Sequence, residues 1–123
     1  MASAFERIGE EKLRAIIHDF VERVFADVMI GFMFRNVSRE RLEAMEYQHA
    51  AAHLGGPVRY EGRELKSAHA AHRIFGGQFA RRSKILDDVL RAHGVDDDLR
   101  AAWLAHLETL RPLITTDAGS ECR

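Results

Sequence analysis

Apolar residues recur at three- and four-residue intervals along nearly the whole chain, the spacing that lines one face of an α-helix. Leu13, Ile16, Ile17, Phe20, Val21 and Val24 form a first stripe. Asp27 and Gly31 frame a break after it, and Phe32 to Phe34 make a short aromatic corner. Ser38 is placed to cap a second long helix with Leu42, Met45, His49 and Ala52 on one face. Gly55-Gly56-Pro57 stops that helix. A loop through Tyr60 and Gly62 then leads to a short segment with Leu65, Ala68, His69 and His72 on one side. Gly76-Gly77 breaks this segment and opens a helix through Phe79, Ile85, Leu86, Val89 and Leu90, which Gly94 ends. Asp96, Asp97 and Asp98 supply a cap and an acidic first turn for a last helix on Leu99, Trp103, Leu107, Leu110 and Ile114. Pro112 is expected to kink or weaken its final turns. The pattern predicts one all-α domain over residues 1–116 and a disordered tail at 117–123.

Composition narrows the partners. With 123 residues the chain can bury a single core, and 46% hydrophobic against 30% charged residues is a globular balance. Eighteen basic residues against 19 acidic ones leave a net charge of -1, without the basic excess of a general nucleic-acid binder. The longest apolar stretch, Val28 to Phe34, is too short to span a membrane. Glu6, Arg7, Glu10, Glu11, Lys12 and Arg14 break up the first twenty residues, unlike a secretory leader. The single cysteine, Cys122, cannot build a disulfide framework. These features set the expectation of a cytoplasmic protein with no nucleic-acid or membrane partner, a monomer or weak homodimer.

Seven histidines are many for this length, and they concentrate the chemistry. His49 and His53 stand one turn apart before the double-glycine loop, and His69 and His72 stand at i and i+3 after it. Neutral imidazole is the commonest metal ligand, so ligation and ordinary packed or surface histidines are the two readings of each. A zinc site from all four lacks the Glu of a His-Glu-x-x-His motif and any supporting cysteine. His69 stands apart because Ser67, Ala68, Ala70 and Ala71 around it are small, which allows a flat macrocycle close approach. An imidazole on one side and an apolar wall with Phe34 on the other describe a haem sandwich rather than a hydrolytic site.

The order Phe20-Val21, Asp27, Phe32-Met33-Phe34, Leu54-Gly55-Gly56-Pro57, Tyr60-x-Gly62-Arg63 and Ala68-His69 resembles the truncated haemoglobins, group I in particular, over about residues 5–115. The resemblance implies a two-over-two helical sandwich around haem b (iron protoporphyrin IX), with His69 as the proximal iron ligand. It implies that Phe34 packs on the haem, and that Leu42, Met45 and Glu46 line the distal face with Phe20 and Val21 opposite. Leu65 and Leu54 belong to the same pocket, and Ile74, Phe79 and Leu86 are apolar contacts on the proximal side. Lys66, Arg73 and Tyr60 are candidates for the propionates, because cations and phenols suit carboxylates.

Departures from the family pattern shape the expected chemistry. Val21 stands where group I members usually carry an oxygen-stabilising tyrosine, which implies faster oxygen loss. Glu46 stands where many carry glutamine; pointing inward and protonated, it would donate to a bound ligand. Tyr47 and His49 are the other local polar groups, His49 as pocket wall. The implied function is reversible binding of oxygen, nitric oxide or carbon monoxide, with nitric oxide detoxification or peroxidase-like chemistry as side activities and a reductase as partner. The alternative is a six-coordinate haem sensor or electron-transfer module in which a distal side chain such as Met45 takes the sixth position; the other use of Met45 is soft core filler.

Overall fold

The computed structural model describes residues 2–60 and 74–115. Among these residues it contains helices α1 (Ala4–Ile8), α2 (Glu10–Ala26), α3 (Arg39–His53), α4 (Gly76–Ala92) and α5 (Asp97–Ile114), with a 3₁₀ turn at Gly31–Phe34. Helix α2 packs against α3 and α4, and α4 packs against α5, so two helix pairs lie one over the other. The predicted stripe of α2 is buried at every position from Leu13 to Val24, and it meets Phe79, Ile85, Leu86, Val89 and Leu90 of α4 in one core. No helix of the described residues is long and apolar enough to cross a membrane.

Most of the predicted punctuation acts locally as expected. The Ser38 hydroxyl accepts from the Arg41 N–H at 3.2 Å and caps α3. The acidic run before α5 behaves differently. Asp96 occupies the N-cap position without a side-chain cap, and with Asp98 it receives Arg7 of α1 instead, at 3.2 and 3.0 Å. A charge-assisted contact to another helix replaces the local one. Pro112 lies inside α5, which continues to Ile114.

Helix α3 buries a second face beside its apolar stripe. Tyr47, Ala50 and Ala51 are buried, whereas Leu42, Met45 and His49 are only partly covered. Ala50 and Ala51 are small and join the core cluster that holds the α2 stripe, while Leu42 packs against that cluster half-buried.

Two corners fix the ends of α2 and α3. After α2, the Asp27 carboxylate accepts from the N–H groups of Met29 and Ile30 at 3.0 and 3.1 Å and from Arg81 of α4 at 2.6 Å. After α3, Gly56 lies so close to α1 that a Cβ there would sit 2.7 Å from the Phe5 ring and 3.0 Å from the Ala51 carbonyl oxygen. The Phe5 N–H donates to the Leu54 carbonyl at 2.9 Å, so the double-glycine loop is where α1 docks.

Candidate functional site

The site is built where α2, α3, α4 and α5 converge. Ile17 and Phe20 come from α2, Glu46, His49 and Ala50 from α3, Arg82 and Leu86 from α4, and Trp103 and Leu107 from α5. They enclose a narrow cavity of about 10 Å³, close to the space that one water needs. Phe20, Glu46, His49 and Leu86, all predicted pocket residues, meet here. A larger groove of about 260 Å³, lined by Arg14, Ile17, Glu40, Glu43, Ala44 and Tyr47, contains none of the predicted cofactor contacts.

Glu46 does point inward, but it meets a cation. Arg82 Nη2 donates to Glu46 Oε1 at 2.8 Å, with both side chains about three-quarters buried. The guanidinium also lies over the Phe20 ring, 4.8 Å from its centroid. In this arrangement Glu46 accepts from Arg82, and the two form an ion pair between α3 and α4. Arg82 Nη1 is buried and has no hydrogen-bond partner among the described residues.

Beside the cavity lies an aromatic cluster between α3 and α5. The rings of His53 and His106 stack with centroids 4.3 Å apart, and His53 meets Trp103 edge-on at 5.6 Å. His49 is 5.4 Å from Tyr60 and 6.2 Å from His106. Burial pushes the His53 imidazole down to about 4, with the neighbouring His106 and His49 adding to the effect. His49 is lowered chiefly by burial, against the pull of Glu46. Among the described residues no group of three His, Cys, Asp or Glu side chains could hold a metal ion, the His49, His53 and His106 trio included.

The remaining predicted residues fall into four groups. Val21 is fully buried in the helical core, and Leu54 and Phe79 are buried with it. Phe34, Leu42, Met45, Tyr60 and Ile74 are partly exposed, with Phe34 5.7 Å from Phe25. Tyr47 lies on the other side of α3, under the Arg14 guanidinium at 4.0 Å, and does not line the cavity. Leu65, Lys66, His69, His72 and Arg73 lie outside the described residues.

Arg82 and His106 carry no motif and were not singled out from the sequence. The signal that could have found Arg82 is its position three residues after Phe79 and four before Leu86, which puts a charge on the apolar face of α4.

The residues present suit a haem. Phe34, Leu42, Met45 and Ile74 are apolar groups left half-covered by the described residues, and the cavity is walled by apolar side chains together with Glu46, His49 and Arg82, whose Nη1 is buried and unpartnered among the described residues. Comparison with known proteins agrees. The family model described as bacterial-like globin matches residues 3–116. The group 1 truncated haemoglobin of Mycolicibacterium paratuberculosis is 33% identical over 120 residues, 96% of this chain and 88% of that protein. The truncated haemoglobin of Tetrahymena pyriformis, solved in its Fe(III) form, superposes with a TM-score of 0.87 at 23% identity, covering 93% of this chain and 98% of that one. The haemoglobin THB1 of Chlamydomonas reinhardtii gives 0.80 at 28% identity, covering 91% and 95%. The chain therefore belongs to the bacterial-like globins and, among them, to the truncated haemoglobins.

Proposed function

We propose that this chain binds haem b through His69 and reversibly takes up oxygen, nitric oxide or carbon monoxide. Family membership implies haem binding. The observation that carries the finer reading is the convergence of Phe20, Glu46, His49 and Leu86, with Arg82, on one narrow cavity of diatomic scale.

A haem, when bound, supplies an iron that coordinates a diatomic gas, with the protein around it setting which ligand is favoured. The chain's own residues perform the other tasks. Phe20, Ile17, Leu86 and Leu107 exclude water from the cavity. Ala50 and the cluster around Trp103 set its width, and Glu46 with Arg82 supplies its polarity. Tyr60, Lys66 and Arg73 are the candidates for the carboxylates at the haem edge. Nitric oxide detoxification and peroxidase-like chemistry are the side activities consistent with such a pocket, and a reductase is the partner they require.

The test is the absorption spectrum of the haem-loaded protein in ferric, ferrous and carbon monoxide forms, beside His69→Ala. An intense Soret band that moves with carbon monoxide and is altered by the substitution is expected. Haem uptake that ignores the loss of His69 would remove this reading.

A further inference from the structure

We propose that Arg82 selects the ligands of this pocket, its buried Nη1 acting as a fixed donor that favours small anions over neutral ligands. The proposal rests on the haem reading above. Four observations place the guanidinium. It rises from α4 between Phe79 and Leu86, on the face that packs into the core. Glu46 of α3 holds it through Nη2 at 2.8 Å. Phe20 of α2 supports it from below at 4.8 Å. Nη1 is then left buried, without a partner among the described residues.

Packing alone does not account for this arrangement. An ion pair in such a place is commonly replaceable by apolar residues of similar volume at no loss of stability. A buried N–H without an acceptor costs further free energy. An arginine stays charged at every relevant pH and its planar fork keeps two nitrogens in fixed relation. With Nη2 fastened to Glu46, the direction of Nη1 is set, and an acceptor entering the cavity meets a donor that needs no rearrangement. Glu46 thus positions Arg82 while its negative charge moderates the attraction for anions.

The experiment titrates the ferric haem protein with azide, an anion, and with imidazole, a neutral ligand, following the Soret band. Because Arg82→Leu alone would leave Glu46 buried without its cation, the principal variant is Arg82→Leu with Glu46→Leu, and Glu46→Gln is the second. The haem-loaded double variant is expected to bind azide about tenfold to a hundredfold more weakly, the value of one charge-assisted hydrogen bond. Its imidazole affinity should change by less than about threefold. Glu46→Gln should bind azide more tightly than the parent. A normal Soret band with azide affinity unchanged in the double variant would overturn the role of Arg82 and leave the haem reading standing. Equal weakening of azide and imidazole would overturn anion selection as well. Failure of the parent chain to take up haem through His69 would overturn both readings.

Discussion

The imidazole rings of His53 on α3 and His106 on α5 lie stacked, their centroids 4.3 Å apart and their planes 16° from parallel. Protonating His53 would place a charge in a buried site against the His106 ring and beside Trp103. The fold therefore keeps His53 neutral.

That relationship predicts acid sensitivity. His53 titrates at about 4 in the folded protein against an ordinary 6.5. Between these values the unfolded chain binds the proton and the folded chain does not, so stability falls as pH drops from about 6.5 towards 4. The ceiling is about 3 kcal/mol, reduced by partial solvent access. Urea unfolding midpoints measured between pH 7 and 4 should decline less steeply in His53→Leu than in the parent. Parallel slopes would mean that another group causes the decline.

The corner after α2 predicts a second result. The Asp27 side chain is only 6% exposed, and it joins the turn at Met29 and Ile30 to Arg81 of α4. Asp27→Ala abandons four N–H donors and is expected to cost about 3 kcal/mol in chemical denaturation. Asp27→Asn, which keeps an acceptor, should cost less. Arg81 holds the Asp27 carboxyl below its usual range, against the opposing effect of burial. A carboxyl depressed in the fold stabilises above its unfolded pKa, and this contribution disappears only as pH falls through the lower folded value. A shift below about 0.5 kcal/mol for Asp27→Ala would show that the corner stands without it.

A third prediction concerns Gly56. A methyl group there meets the Phe5 ring at 2.7 Å and the Ala51 carbonyl oxygen at 3.0 Å, so Gly56→Ala is expected to cost about 1–3 kcal/mol. Combining it with Phe5→Ala removes the nearer obstacle and should recover part of that loss. Strict additivity of the two substitutions in a thermal-unfolding cycle would contradict the contact.

The helices were legible because their apolar periodicity is set by one shared core, and glycine and serine mark their ends by backbone chemistry. The loop Leu54-Gly55-Gly56-Pro57 was legible as punctuation, and the structure adds why its second glycine must be small. The apolar stripe of α3 was legible through Leu42 and Met45, whereas its buried face was not, because Ala50 and Ala51 carry little hydrophobic signal. Glu46 was recognised as a polar residue in the pocket. Its partner was not legible, because Arg82 lies 36 residues away on another helix. His106 was missed for the same reason: nothing local distinguishes it, and its role comes from stacking on His53 across two helices.

Helix α1 touches both ends of the sandwich, Phe5 against Leu54 and Gly56, and Arg7 against Asp96 and Asp98. Five residues are too few to hold a helix unaided, so these distant contacts order it. Arg7 thus depends on acidic partners 89 and 91 positions away along the chain. Helix α1 inherits its order from the helices that it bridges, and it latches the loop after α3 to the start of α5.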